Sequence, residues 1–364
     1  MNNNNSFLMY ALKRSKNYLL NNLNYYYSGI NSSKPNVFIF VFTKKCNFRC
    51  THCDIWKEKN FGDEISLDDW KKAATNIFNW VGPFIASITG GEAFLRKDLF
   101  EFADFLKDKC IELKLNTNGS LINERIAKRL SKSPFKTFIF SLYSLSNHTN
   151  DKLRGIKGSY KKTLRAINLM NKYCEKYGFK KKMCIAVLIT KYNLLELSKI
   201  VIWAKTMNVK VILQPLLKNF DTDFESDWID RSKLWPNDRE LIHQIFKEII
   251  HMKKNGFPIS NDISQLEMMK NYYLRNKEEV LKHKCKVGVD NITIYQDGNI
   301  KFCSLANNIG NIKNNSISKI WKSITAKEER QTLFDCKKDC RVHPCYYDKP
   351  LKAKINGFIS EYKN

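Results

Sequence analysis

Cys46, Cys50 and Cys53 fall within eight residues, Cys46-Asn-Phe-Arg-Cys50-Thr-His-Cys53, directly after the apolar run Val37–Phe42. Thiolates are the preferred ligands of iron–sulfur clusters, and a cubic four-iron cluster has four irons to satisfy. Three cysteines in one loop leave one iron open to another ligand, which is an arrangement for chemistry rather than for structure. A zinc site is the competing reading, with His52 helping, although its neighbours Thr51 and Cys53 leave little room for four ligands to converge. Three buried cysteines without a metal is the other. Their crowding, against eight more spread over the rest of 364 residues, argues against it.

Such a loop needs a scaffold. From 36 to about 216 short apolar runs alternate with helical patterns, the signal of repeated βα units and a parallel sheet. The expected strands are Val37–Phe42, Phe84–Ile88, Glu112–Leu115, Thr137–Leu142, Met183–Ile189 and Val209–Leu213. Ser66-Leu-Asp-Asp69 and Asn193-Leu-Leu-Glu196 read as helix openings, the first as a capping box. Six units predict an α/β fold, a partial (β/α)6 TIM-like barrel rather than a closed eight-fold one. In βα barrels the loops after the strands meet on one face. Here those ends carry the cysteines, then Thr89-Gly90-Gly91-Glu92, then Asn116-Thr117-Asn118-Gly119, with Ser141 near the end of strand four. Gly90-Gly91 lets a backbone approach a ligand and expose N–H groups, while Glu92 supplies an acceptor; a tight turn is the plainer reading. Asn118 and Ser141 are either ligand contacts or hydrogen bonds that fix the loops, and Asn193 is a helix cap.

Five further cysteines form a second group: Cys285, Cys303, Cys336, Cys340 and Cys345. Between the first two, residues 291–302 read as a β-hairpin turning at Asp297-Gly298, and a helix starts at Ile317–Trp321. A four-cysteine zinc ribbon is the alternative for this group.

The Cys-x3-Cys-x2-Cys loop, with His52 in the slot of an aromatic residue, resembles the signature of radical S-adenosylmethionine (radical SAM) enzymes. Gly90-Gly91-Glu92 resembles that family's Gly-Gly-Glu motif, and Cys285 with Gly298-x4-Cys303 resembles its SPASM/Twitch extension. The resemblance covers about residues 36 to 346. It implies a 4Fe-4S cluster on Cys46, Cys50 and Cys53, with S-adenosyl-L-methionine on the open iron. It also implies that Thr89, Gly90, Gly91, Glu92, Asn118 and Ser141 bind the cofactor and that Arg154 could meet an anionic group. A ferredoxin or flavodoxin-type donor would reduce the cluster, and a 5′-deoxyadenosyl radical would take a hydrogen atom from the substrate. The second group departs from the full SPASM pattern, ending Cys-x3-Cys-x4-Cys and having too few cysteines for two clusters. It implies one auxiliary 4Fe-4S cluster on Cys285, Cys303, Cys336 and Cys340, with Cys345 an alternate or spare, which either accepts an electron or binds substrate. The substrate expected is a small polar, sugar-like molecule undergoing net oxidation or epimerisation. The alternative is a SPASM-type maturase of peptide or protein side chains, for which a leader of 35 residues is short for a folded recognition domain.

The bulk properties fit a cytoplasmic enzyme. With 43% hydrophobic residues the chain can bury a large core, and it has no apolar stretch of membrane-spanning length. Eleven cysteines in so long a chain, grouped at ligand spacing, point to metal binding in a reducing compartment. The net charge of +26 raises nucleic-acid binding, yet no Arg/Lys cluster is interleaved with aromatics as an RNA platform. RNA modification and a non-catalytic electron carrier are therefore weaker readings, and a basic face suits docking of an acidic electron donor. The expected divisions are a leader (1–35, with an amphipathic helix at Phe7–Leu20), a barrel (36–220), a helical connector (221–284), an auxiliary domain (285–346) and a tail (347–364). Trp228 and Trp235 would pack the connector, with helices at Arg239–Lys254 and Ile263–His283, onto the barrel. Cys110, Cys174 and Cys184 are left as core residues.

Overall fold

Six apolar runs become six parallel strands in the computed structural model, which describes residues 34–58, 62–218 and 227–347. They are β1 (Val37–Thr43), β2 (Phe84–Gly90), β3 (Cys110–Thr117), β4 (Thr137–Ser141), β5 (Lys182–Leu188) and β6 (Lys210–Gln214). Each pairs with the next, leaving an open, partial TIM-like barrel. The pleat sends alternate side chains to opposite faces. Phe38, Phe40 and Phe42 of β1 are fully buried on the helix side. There Phe40 meets Trp70 edge-on at 5.5 Å and Phe42 stacks on Phe102 at 5.3 Å. Trp70 belongs to the helix Leu67–Val81, which opens on the expected capping box: Ser66 Oγ accepts from Asp69 N, and the Asp69 carboxylate accepts from Ser66 N.

The second cysteine segment does not form a sheet of its own. β7 (Asn291–Ile294) pairs in parallel with β1, and β8 (Asn299–Lys301) and β9 (Gly310–Asn311) follow antiparallel, giving one nine-stranded sheet. The hairpin turns at Asp297-Gly298 as expected, and Gly298 has φ +87°, a conformation glycine adopts without strain.

The connector holds both parts. Its helices Arg239–Lys254 and Ile263–Tyr273 flank Trp235, which is buried against Trp228, Tyr272 and Tyr273. Tyr273 Oη donates to Ile189 O and accepts from Leu216 N, beyond the ends of β5 and β6. On the other side Gln265 Nε2 donates to Val342 O and Tyr347 Oη to Asp262. The helical pattern expected over Ile263–His283 is broken in two. Arg275 takes φ +59° and Asn276 N reaches back to Asn271 O, a left-handed stop normally signalled by glycine. A short helix, Lys277–Leu281, then resumes. The expected helix at Phe7–Leu20 lies outside the described residues, as does nearly all of the tail. No helix of the described residues is long and apolar enough to cross a membrane.

Candidate active site and auxiliary cysteine site

At the end of β1 the register with β2 slips between Val41 and Thr43, and the chain swings into the cysteine loop. The loop is held by backbone contacts and by its own side chains, Asn47 Nδ2 donating to Ser120 Oγ, Arg49 Nη1 to Cys46 O and Thr51 Oγ1 to Leu153 O. Gly91 N donates to Thr43 O and Glu92 N to Lys45 O, both at 2.8 Å. A Cβ on Gly91 would lie 2.1 Å from Lys45 O, and one on Gly90 equally close to Thr43 O. The Gly-Gly pair thus lets β2's end press against the loop, and these two N–H groups serve that contact rather than a ligand. From the opposite side Thr51 N donates to Leu153 O at 3.0 Å, and Gly155, left-handed at φ +66°, sits against Arg49 O. Trp56 Nε1 donates to Cys50 O.

Glu92 is fully buried, and its carboxylate accepts from Thr117 Oγ1, Asn118 N and Phe94 N. Burial holds its pKa above the ordinary carboxylate value. Asn118 spends both ends of its amide locally, donating to Asn47 Oδ1 and accepting from Ser120 N, each at 2.9 Å. Both bonds fix the loops. Thr89 and Ser141 stand half-buried at the ends of β2 and β4. Asn193 is not a side-chain cap: it donates to Tyr143 O and Leu188 O and accepts from Thr190, knitting the loops after β4 and β5 together.

Three neighbours escaped the sequence reading or were only half seen: Asn47, Tyr143 and Arg154. Arg154 is buried, donates Nη1 to Tyr143 Oη at 2.8 Å, and lies over the Phe48 and Tyr143 rings. Its Nε has no hydrogen-bond partner among the described residues, and neither has His52 Nδ1. Burial raises the Cys46 thiol pKa, and it pushes Cys53 up to about 11 with Cys50 and Cys46 adding to it; Arg154 opposes both shifts. Burial, with Arg154 adding, draws His52 down to about 3, so its ring is neutral. Three thiols whose thiolate forms would repel one another, beside a buried cation, are a donor set that suits iron, which stabilises thiolates the protein alone does not. Asn47 had no signal beyond lying inside the cysteine loop; Tyr143 lies just past the expected end of strand four.

The second group converges from four places. Cys285 follows the connector, Cys303 follows β8, Cys336 follows the helix Ile324–Phe334, and Cys340 lies in the turn Asp339–Val342. The negative charges acting on Cys340 come from Cys285, Cys303, Cys336 and Asp339. Burial lifts Cys285 to about 12 and Cys303 to about 11. Cys345 is not among the groups acting on Cys340; the residue is exposed overall, yet the packing around its thiol raises its pKa, with Lys114 of β3 opposing. Cys174 and Cys184 are buried and Cys110 is half-buried. Among the described residues, no three Cys, His, Asp or Glu side chains close on one point as a single zinc ion requires. A cleft beside Cys340 is lined by Leu217 and Lys218 after β6, Trp228 and Tyr272 of the connector, and Ser304 and Tyr346.

Residues 40–201 match the family model of the radical SAM superfamily, and residues 285–346 that of an iron-sulfur cluster-binding domain, SPASM. Residues 40–201 are thus a radical SAM domain and residues 285–346 a SPASM domain. These two domains imply 4Fe-4S clusters and S-adenosylmethionine as cofactors. Fe-coproporphyrin III synthase of Methanosarcina barkeri is 31% identical over 46% of this chain and 40% of its own length. The subtilosin biosynthesis protein AlbA of Bacillus subtilis is 30% identical over 36% of this chain and 30% of its own length. The AdoMet-dependent heme synthase of M. barkeri is 24% identical over 87% of this chain and 90% of its own length. This radical SAM chain thus matches less than half the length of the first two relatives. In fold, it resembles Streptococcus suis SuiB bound to its precursor peptide SuiA, with a TM-score of 0.63 at 17% identity over 87% of this chain and 71% of that one.

Proposed function

We propose that this radical SAM enzyme carries out a net oxidation of a peptide or protein side chain, with two clusters of different coordination. The observation that carries this reading is the separation of eight cysteines into an open set of three and a closed set of four with one apart. Cys46, Cys50 and Cys53 would hold the first cluster and leave a site for S-adenosylmethionine, and Cys285, Cys303, Cys336 and Cys340 would hold the second with no iron left over. When bound, these groups supply hydrogen-atom abstraction at the first site and a one-electron acceptor at the second. The residues of the chain do the positioning. Thr89 and Ser141 at the strand ends, and Arg154 at the end of the helix Asn147–Arg154, would face the cofactor, Arg154 offering a cation to a carboxylate. Gly90, Gly91, Glu92 and Asn118 support the cysteine loop from behind.

The peptide reading is supported by the likeness to AlbA, a protein of bacteriocin biosynthesis, and by the fold shared with SuiB, whose structure holds the precursor peptide SuiA. A tetrapyrrole substrate is the second reading, supported by the heme synthase match over nearly the full length of both chains. The sugar-like substrate expected from a single auxiliary cluster gains no comparable support. An acidic ferredoxin or flavodoxin remains the donor suited to a chain of charge +26. The deciding test is anaerobic reconstitution with iron and sulfide counting, then 5′-deoxyadenosine release with a library of unmodified peptides and with iron coproporphyrin. About eight irons with peptide-stimulated release support the first reading. Stimulation by the porphyrin alone moves the assignment to the second, and about four irons would remove the auxiliary cluster.

A further inference from the structure

Four segments must meet at the auxiliary site, and among the described residues main-chain bonding joins the Cys285 segment only to the chain beyond Cys345, through the Cys285–Tyr347 bridge and Lys286 N donating to Tyr346 O. One side chain crosses between two of them. Arg341 is buried, and it directs its guanidinium at main-chain carbonyls alone. Nη1 donates to Leu281 O at 3.3 Å and to His283 O, Nη2 to Cys336 O at 2.5 Å, and Nε to Lys338 O at 3.2 Å. Two of these acceptors end the connector just before Cys285, and two lie on the stretch from Cys336 to Lys338. A planar guanidinium with five donors in a fixed fork suits such a task, and a lysine ammonium with three does not span it.

The choice of partners matters as much as their number. A buried cation is costly unless compensated, and neutral carbonyls satisfy its hydrogens while leaving its charge in place. That charge acts on Cys285 and on Asp339. A four-thiolate cluster carries net negative charge, which grows by one on reduction. A fixed cation close by favours the reduced form and raises the reduction potential.

We propose that Arg341 is a positioning residue of the auxiliary cluster, stapling the Cys285 segment to the Cys336–Cys340 segment and raising the potential of the cluster they hold. This rests on the reading that Cys285, Cys303, Cys336 and Cys340 hold a cluster. Buried Arg330 supplies the comparison within the same domain: it also donates to carbonyls, those of Gly288, Ala326 and Trp321, and stacks on the Trp321 and Phe302 rings, but none of its acceptors is a cysteine.

The test uses the full chain in a Cys50→Ala background, so that only the auxiliary cluster contributes, with iron counting and potentiometric electron paramagnetic resonance. Arg341→Lys keeps the charge and loses the fork. It should hold its potential near the parent's while losing iron to a chelator several-fold faster. Arg341→Met should lose iron faster still, and the cluster it retains should be harder to reduce. Arg330→Met should lower thermal stability without moving the potential. If Arg341→Met does not fold, Arg341→Lys decides alone, and parent-like chelator resistance overturns the staple. A parent-like potential in loaded Arg341→Met, or an equal shift in Arg330→Met, overturns the electrostatic role. Absence of iron from the Cys50→Ala parent would instead defeat the cluster reading itself, before any arginine variant is measured.

Discussion

The two cysteine sites are built from ligands at very different distances along the chain. Cys46, Cys50 and Cys53 are neighbours in sequence, and the fold has only to press other strand ends around one loop. Backbone does this at close range, through Gly91 against Lys45 and Gly155 against Arg49. Cys285, Cys303, Cys336 and Cys340 come from four places, and a side chain, Arg341, crosses between their segments. Each site has a buried arginine, used differently. Arg154 gives one hydrogen bond to a tyrosine and keeps Nε without a partner, whereas Arg341 commits its fork to four carbonyls. A site that must admit a ligand keeps donor capacity in reserve; a closed one does not.

Replacing one thiolate per site breaks this comparison most sharply. Cys50→Ala should abolish 5′-deoxyadenosine formation while keeping about four irons, because the second set is complete without it. Iron analysis beside the product assay checks both halves, and loss of all iron would mean the sites load together. The next largest effect tests the backbone contact. Gly155→Ala places a methyl 1.9 Å from Arg49 O at a φ of +66°. The backbone term alone costs about 1–2 kcal/mol, and the loop must shift as well. First-site iron should fall while second-site iron stays, with a lower thermal midpoint.

The same contrast explains what could be read in the chain. The six parallel strands and the first site were legible because both are local: apolar runs at regular spacing, and ligands three and four residues apart. The continuity of β7 with β1 was not, since hairpin patterning is the same whether a hairpin stands alone or extends a sheet. The break at Arg275 carried no glycine or proline to announce it. Gly90-Gly91 carried both a ligand-facing and a tight-turn reading; Gly91 N and both Cβ positions meet Thr43 and Lys45, and glycines mark close approach without saying to what. Asn193 had a cap's position but serves two carbonyls across loops.

Arg154 sharpens the comparison at the open site. Removing its charge with Arg154→Met should weaken S-adenosylmethionine binding about tenfold to a hundredfold, the range for losing a hydrogen bond to a charged group. Iron content should change little, because Arg154 hydrogen-bonds Tyr143 rather than the loop backbone. Equilibrium binding to the reconstituted protein measures this directly. Unchanged affinity would assign Arg154 to holding Tyr143 and nothing more.

The smallest effect is expected at Cys345, and that makes it informative. It is not among the groups acting on Cys340, and its own carbonyl accepts from Asn291 Nδ2 at 3.1 Å. The backbone there is thus fixed to β7 without help from the sulfur. Cys345→Ser should therefore keep about eight irons and the parent's auxiliary spectrum, whereas Cys336→Ser should lose about half the iron. If the two variants lose iron equally, the second site draws on all five cysteines. The contrast between an open set of three and a closed set of four would then fail, and with it the argument that the auxiliary site accepts electrons rather than substrate.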